Sequence, residues 1–386
     1  MLKLYNSFSL SKEDFVPFEK NLVKIFICGP TVYDYTHLGH ARIFLTYDLL
    51  SRCLHDQGLQ TDVLVNMTDI NQNVFNKAKE NSTTYKDVAK FYATAFADDL
   101  QSLGITSVNR LAYVSDYVSS IEHEIKKLME QGVAYMAHGN VYLDVSQVKN
   151  YGKISQQTPT QLNLHRLDIG PGKKHQEDIM LWNCTEDFDF SWYSEFGEGI
   201  PWWHMQDTAV AFENFGKNYD IHGGARELLY PHHEAHLAQY QLLSGSETPV
   251  KSWVHVGLVL SDGEKMSKSL GNVVWVKDLV KKYGSNLIRL YIFSKHYRDD
   301  MDFSKADMLA KKPLLDLIYL TGAKVSDATH QDITNLINDI ISSLQNDLDS
   351  PTALAKLEKI CVEVKNGKTV NKIDFSRVCK IFGIKI

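Results

Sequence analysis

Apolar runs that end near glycine alternate with stretches of helical period along most of this chain. LVKIFICG, residues 22–29, is apolar almost throughout and stops at Gly29-Pro30, which predicts a strand buried on both faces of a parallel sheet. In HARIFLTYDLLSRCLHDQG, Ala41, Leu45, Leu49 and Cys53 recur at four-residue steps and Gly58 closes the stretch, the pattern of an amphipathic helix. QTDVLVNMTDI predicts the next strand, completing a strand–helix–strand unit, the seed of a doubly wound sheet. A helix is expected from about Thr83 to Leu103, then a strand and the helix VSSIEHEIKKLMEQG, then a hairpin in VAYMAHGNVYLDV around His138-Gly139-Asn140.

Residues 145–200 carry Gln, Gly, Pro and Trp with little period, as an insertion between two halves of a sheet would. KNYDIHGG resumes as a strand, PHHEAHLAQYQLLSG as a helix beginning at Pro231, and SWVHVGLVL as a further strand. SDGEKMSKSLGN is a polar loop bounded by glycines, and from about Ser304 the period is helical, which predicts a small bundle.

Composition narrows the class. The 386 residues suffice for two or three domains, with the apolar and charged fractions of an ordinary globular chain. No stretch approaches the roughly 18 apolar residues of a membrane span. MLKLYNSFSLSKEDF lacks the apolar core of a signal peptide, so a cytoplasmic protein without membrane contact is expected. Cys28, Cys53, Cys184, Cys361 and Cys379 keep no framework spacing, and disulfides are not expected. A net charge of −6 argues against extensive non-specific binding to nucleic acid while leaving room for a local basic groove.

Chemistry concentrates in two strings. In ICGPTVYDYTHLGHARIF, a strand gives way to a helix whose first amides favour an anion. Gly39 lets a ring or phosphate approach the backbone, and His37 and His40 on either side of it donate hydrogen bonds to phosphate oxygens. In Lys265-Met266-Ser267-Lys268-Ser269, two lysines on a glycine-bounded loop close over a triphosphate and neutralise charge growing in a transition state. Each string alone has a plainer reading, a helix cap with surface histidines or a solvated loop; together they point to a nucleotide. No G-x-x-x-x-G-K-[ST] and no strand-following G-x-G-x-x-G is present, and GPGKK at 170–174 reads as a turn.

With these residues the chain resembles the class I aminoacyl-tRNA synthetases, specifically the cysteinyl family. CGPTVYDYTHLGHAR, NMTDI, YGKIS, DIMLWN, PWWHMQD, DIHGGARELLYPHHE, GEKMSKSLGN and SKHYRDDMDFS carry the resemblance from about Leu4 to Phe303. It implies an α/β fold, a Rossmann-type doubly wound parallel sheet split by a connective insertion and followed by a helical bundle. The implied limits are 1–120 and 201–250 for the halves of the catalytic domain, 121–200 for the insertion, 251–303 for the KMSKS-bearing stem-contact region and 304–386 for the bundle. It implies attack of an amino-acid carboxylate on the α-phosphate of ATP with Mg²⁺. His37, His40, Lys265 and Lys268 fall on the family's catalytic positions; Gly29, Gly39, Gly223, Glu227, Met266 and Ser267 join them around ATP. Cys28, Thr68, Trp203 and His222 fall on the amino-acid pocket.

The family binds zinc through two cysteines, a histidine and a glutamate, and those positions here hold Cys28, Asp207, His232 and His236. His232 and His236 stand four apart, a normal spacing for two ligands on one helix face, and all four are legitimate zinc ligands. The other reading is polar groups bonded to one another with no ion. One thiolate, one carboxylate and two neutral imidazoles leave a divalent ion formally neutral and harder than two thiolates would, so preference for sulfur substrates is expected to relax. Asn71-Gln72-Asn73, Glu227, Asn183 and Gln206 are further departures from the family pattern.

LDSPTALAKLEKICVEV resembles the first part of the family's bundle, and an anticodon-reading domain is expected to be absent or vestigial. KNGKTVNK reads first as a solvated face and second as an RNA contact. The function expected is amino-acid activation, with cysteine the leading substrate, followed by transfer to a tRNA acceptor end. The alternatives are transfer to a small-molecule amine, as in the mycothiol branch, and a silent paralogue acting as a binding module. A charging enzyme needs a basic track with steep salt dependence, whereas an amine ligase needs a closed second pocket.

Overall fold

The computed structural model describes residues 2–156, 170–184, 190–266 and 270–386. An antiparallel pair, β1 (Lys3–Asn6) and β2 (Ser11–Asp14), precedes the expected unit of β3 (Leu22–Ile27), α1 (Leu38–Asp56) and β4 (Gln60–Met67). Helices α2 (Gln72–Glu80) and α3 (Tyr85–Ser102) lead to β5 (Arg110–Tyr113) and α4 (Val118–Glu130). Five short strands follow: β6 (Ala134–Ala137), β7 (Asn140–Leu143), β8 (Ile179–Asn183), β9 (Trp192–Ser194) and β10 (Gly197–Pro201). They pair antiparallel in the order β6-β7-β8-β10-β9, a separate sheet in which the expected hairpin β6-β7 is joined by three strands from the stretch that lacked period.

The chain then returns through α5 (Trp203–Phe215), β11 (Tyr219–Ala225), α6 (Glu234–Ser244) and β12 (Val250–Val256). SWVHVGLVL is not one strand: β12 breaks at Gly257, and β13 (Val259–Ser261) joins β14 (Glu264–Lys265) and, later, β15 (Met301–Asp302) in a small sheet. A Cβ on Gly257 would come within 2.4 Å of the Asp299 carbonyl oxygen, so the chain bends at this close approach.

The central sheet has five parallel strands in the order β12-β11-β3-β4-β5. β11 is buried along its whole length and Val23, Ile25, Phe26 and Ile27 of β3 are buried, as continuous apolar runs predict for a sheet covered on both faces. Strands β3, β4 and β5 are laid down outward in chain order, and β11 then inserts on the other side of β3. The order reverses between β3 and β11, and ligands of such sheets bind outside the carboxyl ends of the strands at that reversal.

Helix α7 (Val276–Tyr283) packs on α3 and α8 (Ser285–Phe293) on α1, and α9 (Lys305–Leu309), α10 (Lys312–Gly322), α11 (Gln331–Gln345), α12 (Ser350–Lys365) and α13 (Lys372–Phe382) form the C-terminal bundle. Ile333, Ile337, Ile340 and Leu344 bury one stripe of α11, and Leu354, Leu357 and Ile360 face the core from α12. Full burial of one such side chain contributes about 1.5–3 kcal/mol. Two buried carboxylates tie the bundle to the rest. Asp48 of α1 pairs with Arg289 of α8, whose Nε reaches the Phe382 carbonyl in α13 at 2.8 Å. Asp347 accepts from the Tyr5 amide, the Tyr297 hydroxyl and Arg298 Nε at 2.8, 2.7 and 2.9 Å.

Candidate active site

At the carboxyl ends of β3 and β11 lies a cavity of about 220 Å³ lined by Cys28, Gly29, His37, Gly39 and His40 on one side and by Glu227, Lys265 and Met266 on the other. The turn before α1 and the first lysine of the KMSKS string therefore meet in one space. Ser267 and Lys268 lie outside the described residues.

His37 caps α1. Its Nδ1 accepts the Gly39 and His40 amides at 3.1 and 3.4 Å, so two of the amides expected to meet an anion are spent on this ring. An accepting Nδ1 assigns the proton to Nε2, which makes the ring itself a donor. A Cβ on Gly39 would stand 2.8 Å from His37 Cε1, so the glycine is required by the capping ring. His40 stacks on His37 with centroids 3.8 Å apart, and burial, then the charge of His37, push it well below the ordinary imidazole range. It is neutral at pH 7.

Arg42, one turn on, is fully buried and donates to the carbonyls of Gly257, Leu258, His296 and Asp299 at 3.2, 2.9, 2.8 and 2.6 Å. It binds α1 to the bend that leads into β13 and β14, which places Lys265. Lys265 pairs with Glu227, and the pair stands on the wall shared with a larger cavity of about 770 Å³. That outer cavity is lined by Asn71, Gln72 and Asn73, by Trp202, Trp203 and Gln206, and by Tyr230 and His232.

Behind the inner cavity the Cys28 thiol donates to Asp207 Oδ2 at 2.9 Å, and His233 Nε2 stands 3.0 Å from the same sulfur. His232 Nε2 reaches Asp207 Oδ2 at 3.0 Å. The ligating atoms of Cys28, His232 and His233 lie within 4.8 Å of one another. The far ring nitrogens are also engaged, His232 Nδ1 with His204 at 3.1 Å and His233 Nδ1 with His255 at 2.7 Å, as metal-binding imidazoles usually are. Burial, then the Asp207 charge, push the Cys28 thiol well up. Burial raises Asp207 as well, but the charge and hydrogen bond of His232 and the bond from Cys28 outweigh it and hold the carboxyl below its usual range.

One sulfur and two imidazole nitrogens within 4.8 Å of one another, with a carboxylate oxygen of Asp207 against Cys28 and His232, are donor types that zinc takes.

His236 is not in this group. Its Nδ1 meets Thr208 Oγ1 at 3.1 Å and its Nε2 meets the Tyr219 hydroxyl at 2.9 Å. A wider turn over Leu229–His233, in which Tyr230 alone is extended, leads into the helix, and the backbone from His232 to His236 stays helical. Thr208 and Tyr219 hold His236, and His233 is the imidazole that faces Cys28. His222 is fully buried behind Cys28, its Nδ1 held by Tyr219 at 2.6 Å, and lines neither cavity. Gly223 also lines neither; its α-carbon packs on the Tyr47 ring, which a Cβ would strike at 2.2 Å. Thr68 sits beside the site, accepting from Asn66 Nδ2 at 3.2 Å, and Trp203 stacks on His232 with centroids 4.3 Å apart and planes 5° apart.

The family profile described as tRNA synthetases class I (C) catalytic domain matches residues 14–312. The chain belongs to this family. Its relatives include the cysteine–tRNA ligase of Thermoplasma volcanium, 35% identical over 98% of this chain and 85% of that protein. That of Thermococcus onnurineus is 36% identical over 83% of this chain and 67% of that protein. Among solved structures, a Mycobacterium tuberculosis methionyl-tRNA synthetase with methionyl-adenylate superposes with a TM-score of 0.70 at 12% identity, covering 94% of this chain and 88% of that one. The Agrobacterium radiobacter LeuRS of a LeuRS–tRNA–LeuAMS complex superposes at 0.68 with 9% identity, over 96% and 84%. These two likenesses concern the fold.

Within this class I synthetase, sequence reasoning missed Asn66, Arg42, His233 and Glu234. Glu234 is buried and accepts the Gly152 and Ser155 amides at 2.9 and 2.8 Å, joining the YGKIS and PHHE strings. The signal for His233 was its place beside His232; for Asn66, a polar residue in an apolar strand. No helix among the described residues is long and apolar enough to cross a membrane.

Proposed function

We propose that this chain activates cysteine with ATP, forming cysteinyl-adenylate and pyrophosphate, and passes the aminoacyl group to tRNA. The observation that carries the reading is the inner cavity, where His37, His40 and Lys265 converge at the sheet's reversal point. As the carboxylate attacks the α-phosphate, negative charge grows on the departing phosphates. In this reading the Nε2–H of His37, the neutral His40 and the ammonium of Lys265 donate to those oxygens, and the sequence supplies Lys268 as a second cation. Neutral His40 donates without having to be protonated first, so its contribution persists at neutral and mildly alkaline pH.

Mg²⁺ accompanying ATP supplies further charge neutralisation. Zinc held by Cys28, Asp207, His232 and His233 supplies, when bound, a Lewis-acidic partner for a substrate thiol. Trp203, flat against His232, closes one side of that pocket, and the outer cavity leaves room for an acyl acceptor. The relatives named above are tRNA ligases, which supports tRNA over a small amine as the acceptor.

Pyrophosphate exchange with cysteine, serine and other amino acids, with and without a chelator, followed by charging of tRNA transcripts, tests the reading. Cysteine-dependent exchange and tRNA charging are expected. Exchange with no amino acid overturns the activity, and exchange without any tRNA charging overturns the acceptor.

A further inference from the structure

Asn66, at the carboxyl end of β4, is 1% exposed and its amide is committed on three sides. Oδ1 accepts the Gly29 amide at 2.7 Å, so the backbone next to Cys28 decides which way the side chain faces. Nδ2 then donates to Thr68 Oγ1 at 3.2 Å and to Asp207 Oδ1 at 2.8 Å. Asp207, 2% exposed, turns its other oxygen to Cys28 Sγ and His232 Nε2, at 2.9 and 3.0 Å. A single amide thus holds the neighbour of one ligand and the outer oxygen of another.

A carboxylate differs from a thiol in having two oxygens and a rotation about Cβ–Cγ. Unheld, it presents either oxygen or both; held at one, it presents the other alone. A cysteine at position 207 would offer one sulfur and give Asn66 Nδ2 no second oxygen to grip. We propose that Asn66 is the positioning residue that makes Asp207 a single-oxygen ligand beside Cys28, His232 and His233, an inference resting on the reading that this cluster holds zinc.

The test compares wild type, Asn66→Ala, Asp207→Cys and the double variant as purified full-length proteins. Zinc affinity is measured by competition with a chromogenic chelator, and the ligand field by the visible absorption of the Co²⁺-loaded forms. Asn66→Ala is expected to weaken zinc binding about 10–100-fold in the Asp207 background and to change the Co²⁺ band. In the Asp207→Cys background the same change is expected to cost no more than about threefold, because the Gly29 contact is lost in both backgrounds and cancels in the cycle. Equal losses in both backgrounds, or none in either, overturn the proposal while leaving the metal reading intact. Should the alanine variant fail to fold, Asn66→Leu keeps the volume, removes the donors without adding charge, and carries the same expectation. A folded wild type that binds no zinc overturns the metal reading and this inference together.

Discussion

Lys265 of β14 rests its ammonium on the carboxylate of Glu227, and the pair forms part of the wall common to the inner and outer cavities. The side chains are 54% and 38% exposed, so the contact contributes no more than about 1 kcal/mol. A triphosphate, with more charge and better hydrogen-bond geometry, outcompetes it. Glu227→Gln is expected to lower the KM for ATP by up to about fivefold, since Lys265 no longer has to be withdrawn. Lys265→Ala is expected to slow adenylate formation about 10²–10³-fold. Pyrophosphate exchange measures both, and an unchanged rate in the alanine variant removes Lys265 from the machinery.

His37 has two tasks that substitution separates. Asparagine retains an acceptor for the Gly39 and His40 amides but carries no imidazole Nε2–H. His37→Asn is expected to unfold within a few tenths of a kcal/mol of wild type while losing most of the activation rate. His37→Ala adds a capping loss of about 1 kcal/mol. Urea titration alongside exchange kinetics distinguishes them; equal rates for wild type and asparagine would leave the cap as the whole role.

The neutral state of His40 makes stability depend on pH. Its folded-state value lies well below 6.5, first through burial and then through His37, whereas the unfolded chain takes up the proton near 6.5. The unfolded state therefore binds more protons, and stability is complete above about pH 6.5 and falls as the solution is acidified. At pH 5.5 the loss is up to about 1.4 kcal/mol. The stability gap between wild type and His40→Gln, from urea melts at pH 7.5 and 5.5, should shift by about that amount; a constant gap would place the proton on His40 in the folded state.

Asp48 and Arg289 are completely buried. Burial raises the Asp48 carboxyl, but Arg289 and Arg52 outweigh it and hold it below the usual range. Asp48→Ala strands the guanidinium and is expected to cost about 3–5 kcal/mol, whereas Asp48→Leu with Arg289→Met recovers only part of it, because the Leu103 and Phe382 carbonyls lose their donor. Because Arg289 also holds the Phe382 carbonyl, hydrogen exchange at the end of α13 should accelerate in the double variant, which removes that donor.

The central strands were legible because their apolar runs are local and continuous; β3 and β4 fall where the pattern puts them. The turn at His37–His40 was legible as a site, yet its amides serve the capping ring, a competition between side chain and ligand that spacing does not reveal. The antiparallel sheet of β6 to β10 left little trace beyond one hairpin, since its strands are three to five residues long and β8 joins β7 only across a long gap.

Sequence alone determined the strand–helix–strand order, the pairing of imidazoles with a lysine loop, and the candidate ligands Cys28, Asp207 and His232. Periodicity and residue chemistry are properties of neighbours in the chain, and they survive without coordinates. Only the tertiary structure decided that His233 faces Cys28 while His236 turns to Tyr219 and Thr208, and that Asn66 grips Asp207. Which of two nearby imidazoles points inward depends on hydrogen-bond partners delivered by distant segments, and no local pattern encodes them.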